Sequence, residues 1–203
     1  MLAIVDYEVG NVRSVQKSFE KVGIQTVLTD DPERILSADG VVLPGVGAFK
    51  DAMEMLRKKQ LAEVICEVAK RKIPLLGICL GLQMLFEYSL EKGRTEGLGI
   101  FEGACEPIVT DLKVPHMGWN ELIIKKDHPV LAGVQSGDFT YFVHSYHVVP
   151  KNKDIILATT EYDGEKVAVV GNDSVVGIQF HPEKSSQIGL KILENFGRMV
   201  DAR

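Results

Sequence analysis

The chain has 203 residues, 45% hydrophobic and 25% charged, which is the make-up of a soluble globular protein long enough to bury a real core. A net charge of −5 argues against a basic surface for nucleic acid, and no apolar run reaches the ~18 residues needed to cross a bilayer. The opening MLAIVDYEVGN has no basic n-region, so no signal peptide is expected, and the sparse, odd set Cys66, Cys79 and Cys105 points to a reducing, cytoplasmic setting.

"LAIVDY" (2–7) reads as a strand, and Asn11 to Val22 has the helical period at Val12, Val15, Phe19 and Val22. "TVLTD" (26–30) and "GVVLPG" (40–45) are strand-like, helical patterns run from about 49 to 72, and "PLLGIC" (74–79) is a strand leading into a helix over about 80–88. Beyond about Gly97 the pattern changes to successive strands, "WNELIIKK", "FTYFVHSYHVV", "IILATTEY", "KVAVVGN" and "VVGIQF", with a last helix over about 186–200. No repeat, low-complexity tract or linker interrupts the chain. The expectation is a single α/β domain over 1–203. Its mostly parallel central sheet is flanked by helices, and the C-terminal half adds an antiparallel or mixed β extension.

"GICLG" places Cys79 where a buried strand meets a helix, between Gly77 and Gly81. That is the strand–turn–helix setting in which a Gly-x-Ser-x-Gly elbow presents its nucleophile. The helix dipole there favours a thiolate, and the Leu80 amide could donate to an oxyanion. The alternative is a buried structural thiol. A thiolate nucleophile needs a histidine, and the histidine an orienting acid. "FHPE" offers His181 and Glu183 at i and i+2, on one face of an extended segment, with Pro182 stiffening the backbone; a surface turn with a chance ion pair is the other reading.

His144 and His147, three apart, would fall on opposite strand faces, His128 reads as an exposed turn, and no cluster has metal-ligand spacing. "LPGVGAFKDA" (43–52) lacks the third glycine of a dinucleotide loop and any Gly-Lys-Ser/Thr. Its glycines instead suit a loop whose amides approach a developing negative charge, as at Val46 and Gly47.

"PGVGAF", "LLGICLGLQMLFE" and "GIQFHPEKS" together resemble the triad-type (class I) glutamine amidotransferase family. "DYEVGN", "PHMGWN" (115–120), "YFVHSY" (141–146) and "TTEYDGE" (159–165) are similar to its subfamily of glutaminase subunits of imidazole glycerol phosphate synthase. One departure is Glu8, where that subfamily often has glycine. The resemblance implies Cys79 as nucleophile, His181 as base then acid, and Glu183 as its orienter. It implies an oxyanion hole from Val46, Gly47 and Leu80, and glutamine contacts from Gln83, Glu91 and the backbone of Ser145 and Tyr146. Asn11, His116, Met117, Trp119 and Tyr141 resemble the face toward a cyclase subunit in a heterodimer. Glutamine would be the substrate, with no cofactor and no metal, and Cys66 and Cys105 would be structural. Competing expectations are the glutaminase subunit of another amidotransferase, a non-catalytic scaffold of the same fold, and a cysteine peptidase or gamma-glutamyl hydrolase.

Overall fold

The computed structural model describes residues 1–202. The first half runs β1 (Leu2–Val5), α1 (Val12–Lys21), β2 (Thr26–Thr29), α2 (Pro32–Leu36), β3 (Gly40–Leu43), α3 (Phe49–Lys58), α4 (Leu61–Lys70), β4 (Leu75–Ile78) and α5 (Leu80–Met84). It continues through β5 (Phe86–Ser89), β6 (Thr95–Glu96), β7 (Phe101–Pro107), β8 (His116–Glu121), β9 (Ile123–Ile124), β10 (Phe139–His144) and β11 (Tyr146–Pro150). It ends with β12 (Ile156–Glu161), β13 (Glu165–Gly171), β14 (Val175–Ile178) and α6 (Ser186–Asp201).

The central sheet has eight strands in the order β2-β1-β3-β4-β14-β13-β12-β9. From β2 to β14 every pairing is parallel, and β13, β12 and β9 add antiparallel strands, as the alternation along the sequence predicts. Strands buried on both faces need apolar residues at every position. In β1, Ala3 and Val5 join the core under α3 and α4, while Leu2 and Ile4 join the core under α1 and α6. A four-stranded sheet, β11-β7-β5-β6, and a two-stranded ribbon, β8 with β10, complete the extension.

The structure corrects several expected boundaries. The helical stretch over 49–72 is two helices, broken where Gln60 turns left-handed at φ 58. The helix expected to 88 stops at Met84, because the next residues are captured by a ladder: Leu98 donates to the Met84 carbonyl and β5 pairs with β6 and β7. The single strand expected over 139–149 divides at Ser145 into β10 and β11, which belong to different sheets. Helix α2 and strand β7 carry no strong periodic signal and are additions.

Candidate active site

Strands β4 and β14 lie side by side and parallel, with Gly77 opposite Gly177 and Ile78 opposite Ile178. Their carboxyl ends therefore bring residue 79 and residues 179–183 together at the edge where ligands gather in open α/β sheets. Cys79 occupies the turn into α5 with φ 54 and ψ −110, a strained backbone for a residue with a Cβ. Close packing holds it there. A Cβ on Gly77 would lie 2.9 Å from the Gly81 backbone, and one on Gly81 would lie 1.9 Å from the Leu43 carbonyl oxygen.

His181 follows β14, and Pro182 opens a 3-10 turn over 182–184 instead of the extended segment expected, because its fixed φ suits the first position of such a turn. The turn still delivers the pair: His181 Nδ1 lies 2.8 Å from Glu183 Oε1, with side chains 4% and 2% exposed. Burial by itself would lower the His181 pKa, but hydrogen bonds to Cys79 and Glu183 and their negative charges outweigh it and raise the value to about 10. Glu183 Oε2 is buried without a hydrogen-bond partner, so the carboxylate is oriented through the histidine. The turn is clamped to β10. His181 N–H donates to the Tyr141 carbonyl, Tyr141 N–H donates to Ser185 Oγ, and Ser185 Oγ donates to the His181 carbonyl at 2.6 Å.

A cavity of about 350 Å³ opens on these groups. Val46, Gly47, Cys79, Leu80, Gln83, Glu91, Ser145, Tyr146 and His181 all line it, joined by Pro115, Val143 and Lys184, which sequence reasoning did not single out, and by His144, which it weighed only as a metal ligand. Gln83, one turn along α5 from Cys79, donates from Nε2 to the Tyr146 carbonyl at 3.1 Å and to Gln179 Oε1 at 3.2 Å. Both its N–H groups are thus engaged, and only its carbonyl oxygen is left for a ligand. Glu91 accepts the Phe49 N–H at 2.8 Å, capping α3 just after the Val46–Gly47 loop. The Leu80 amide, expected to face an oxyanion, donates instead to the Gly45 carbonyl at 3.3 Å. Gly47 is left-handed at φ 91, and Val46 is 40% exposed. Tyr7 braces this loop by donating to the Pro44 carbonyl, and burial raises its pKa.

The remaining histidines are structural in placement. His128 is half-buried, not an exposed turn; its ring accepts the Val130 N–H and lies 3.1 Å from the Asn172 carbonyl. His144 and His147 sit in different strands on either side of Ser145. Of the residues expected on a partner face, His116 is corrected. It is 1% exposed, stacked between Phe142 and Tyr162, and bonded at 3.0 Å to His144 directly across the ribbon. The opposite ribbon face carries Met117 and Trp119, both about half exposed, with Tyr141 meeting Trp119 edge to face; Asn11 is exposed before α1. Cys66 and Cys105 are unpaired thiols whose pKa burial raises, unlike a reactive cysteine. The residue that motif reasoning passed over is Gln179, fully buried with Nε2 3.8 Å from Cys79 Sγ. A polar residue inside the apolar run VVGIQF was the available signal.

A cysteine on a strained strand-to-helix turn, facing a buried histidine–carboxylate pair across parallel strands, is the arrangement of a thiol-nucleophile α/β enzyme. The chain belongs to the class-I glutamine amidotransferase family, whose family model matches residues 3–200. It is 47% identical to the imidazole glycerol phosphate synthase subunit HisH of Geobacillus sp. (strain WCH70), over 100% of this chain and 99% of that relative. It is 50% identical to the subunit of the same name in Caldanaerobacter subterraneus subsp. tengcongensis, over 98% of each chain. The fold also matches a crystal structure of a glutamine amidotransferase with a TM-score of 0.76 at 18% identity, covering 97% of this chain and 98% of that one.

Proposed function

We propose that the chain is the glutaminase subunit of an imidazole glycerol phosphate synthase, hydrolysing the side-chain amide of glutamine and passing ammonia to a cyclase partner in histidine biosynthesis. The observation that carries the reading is the His181 ring, held between Glu183 and Cys79 at the mouth of the cavity. Near-full-length identity to subunits of that synthase supports the choice within the family.

In this reading the Cys79 thiolate attacks the amide carbon and forms a tetrahedral oxyanion. His181, held protonated, gives its proton to the departing ammonia and leaves a thioester. It then takes a proton from water, whose attack releases glutamate and returns the thiol. Glu183 keeps the Nδ1 proton in place. Gln83 can offer a ligand only an acceptor, so it suits the α-ammonium of glutamine better than the α-carboxylate.

The Leu80 amide is engaged by Gly45, so the oxyanion site takes shape when the Gly45–Val46 peptide turns away. One such donor is worth about 3–4 kcal/mol, enough for the loop to act as an on–off element. A Cβ at Gly45 would meet Tyr7 Oη at 2.8 Å and Leu80 Cβ at 3.0 Å, so Gly45→Ala should alter the basal rate, and an unchanged rate refutes the switch.

Ammonia equilibrates quickly to unreactive ammonium in neutral water, so the acceptor reaction has to be served by a docked protein. The ribbon face of Met117, Trp119 and Tyr141, with Asn11 nearby in sequence order to the Tyr7–Gly10 loop, is the proposed cyclase contact. Three unpaired cysteines fit a reducing cytoplasm, and among the described residues no helix is long and apolar enough to cross a membrane. The test is glutamate release from glutamine by the parent and by Cys79→Ala, each alone and with the liganded cyclase. Release that rises with cyclase and vanishes in Cys79→Ala supports the proposal. Cyclase-independent release points to another amidotransferase, and none in any mixture points to a scaffold.

A further inference from the structure

We propose that Gln179 is a positioning residue for the nucleophile, its side-chain amide locked by a one-way hydrogen-bond chain so that an N–H donor faces the Cys79 sulfur. This deepens the reading of Cys79 as the attacking group and rests on it for any effect on turnover.

The direction of the chain follows from one atom that can only accept. The Tyr146 carbonyl oxygen lies 2.8 Å from His144 Nδ1 and 3.1 Å from Gln83 Nε2. His144 Nδ1 must therefore carry the proton. Burial pushes the His144 pKa down to about 3, so the ring is neutral and its Nε2 is bare. That bare nitrogen accepts from His116 Nδ1 at 3.0 Å, which fixes the tautomer of the second ring as well. Nothing along this path can reverse without placing two acceptors or two donors face to face.

The same logic runs toward the sulfur. Turning the Gln83 amide over would set its oxygen against the Tyr146 oxygen, so its nitrogen stays there and also donates to Gln179 Oε1 at 3.2 Å. Turning Gln179 over would oppose two NH2 groups. Its oxygen is thereby committed to Gln83, and its Nε2 is left facing Cys79 Sγ at 3.8 Å. Gln179 is fully buried at the end of β14, and its backbone N–H is held by the Ala168 carbonyl at 2.8 Å, so neither water nor backbone play relaxes the arrangement.

A donor aimed at sulfur favours the thiolate over the thiol, because a hydrogen bond to a charged acceptor is stronger than one to a neutral acceptor. Cys79 then has a partner on each side, the His181 ring and the Gln179 amide, and the two together fix the direction of the sulfur. A residue that only filled space between Gln83 and the sulfur would stabilise the fold without discriminating between thiol and thiolate. His181, Tyr7 and Cys105 feel the Cys79 charge, Glu91 and Lys184 line the same cavity and Glu183 pairs with His181; all six are unchanged in the variants below.

The experiment is the rate of Cys79 alkylation by iodoacetamide against pH, in the full chain, read by mass spectrometry on the tryptic peptide 73–92 that contains it. It needs no glutamine turnover, so a chain that proves not to be a glutaminase still yields a result here. Gln179→Met keeps the volume and removes the donor. It should slow alkylation below neutral pH about tenfold, moving the profile up by about one pH unit while leaving the high-pH plateau unchanged. Gln179→Glu keeps an acceptor for Gln83 but sets a carboxylate against the sulfur, and should move the profile further. Profiles that coincide with the parent in folded variants overturn the proposal. If neither variant folds, the parent decides. The side-chain amide resonance of Gln179, in glutamine-labelled protein, should shift when Cys79 is alkylated or replaced by Ala, and an unmoved resonance overturns the proposal.

Discussion

Gly81→Ala is the sharpest test of how the elbow is built. Within a helix this exchange ordinarily stabilises, by up to about 1 kcal/mol. Here the added Cβ would sit 1.9 Å from the Leu43 carbonyl oxygen and 2.9 Å from its carbon, against ordinary contact at 3.4–4 Å. Helix α5 would have to retreat by roughly 1.5 Å from the end of β3, an overpacking strain of about 1–3 kcal/mol. The retreat also stretches the Leu80 N–H bond to the Gly45 carbonyl. Strain of about 2 kcal/mol less the helix gain leaves a net loss of about 1 kcal/mol, which lowers Tm by roughly 2–4 °C in a chain of this size. Because Cys79 leads directly into α5, displacement on this scale should also cost about 100-fold in glutaminase kcat. Calorimetry and glutamate release with the cyclase present measure the two effects. A variant with raised Tm and intact kcat would refute the close packing of the elbow against β3.

Ser185→Ala removes the hydroxyl that joins Tyr141 N–H to the His181 carbonyl; it should cost about 1–3 kcal/mol by thermal melt and lower kcat more than it raises KM. The folded protein holds His144 at about 3 and His147 at about 4 through burial, both below the unfolded value of about 6.5. A depressed histidine contributes stability above its unfolded pKa and withdraws it as pH falls. Stability should therefore drop from about pH 6.5 down to about 4 for His147 and about 3 for His144, at up to about 1.4 kcal/mol per pH unit for each ring, and His144→Gln should flatten the fall in a denaturant series. On the proposal that the ribbon is the cyclase contact, Trp119→Ala should weaken that association by about tenfold or more in calorimetry and leave Tm nearly unmoved, since the side chain is half exposed.

Strands β1, β3, β4 and β14 were legible because each is buried on both faces, and a short unbroken apolar run between turn residues has few other readings. Strand β5 was not, because Leu85 and Phe86 continue the spacing of α5, and only pairing with distant β7 decides against the helix. Cys79, His181 and Glu183 stood out because their chemistry needs each other. Gln179 did not, since an amide in a strand advertises no reaction, although it lies two residues from His181.

The ribbon separates what the resemblance had grouped: in HMGWNE the apolar Met117 and Trp119 face out, as a partner face would require, while His116 is buried on the other side. An inverted pattern of this kind is what a surface made to be covered by another protein would show. At Glu8 the chain takes φ 68, a backbone that glycine adopts at no steric cost, and a 2.9 Å ion pair from Lys59 holds the glutamate there.

The place of β14 in the sheet has a consequence for how the enzyme comes into being. A hundred positions separate Gln179 from Cys79, and β14 enters the sheet between two strands made earlier, β4 and β13. During synthesis the cysteine emerges long before either of the groups that face its sulfur. Until the last segment slots home, the thiol stands at the open edge of β4 with no base beside it. With Cys79 as the proposed nucleophile, its activation depends on the closing of the sheet, and a chain that has not yet placed β14 lacks the base that glutamine hydrolysis needs.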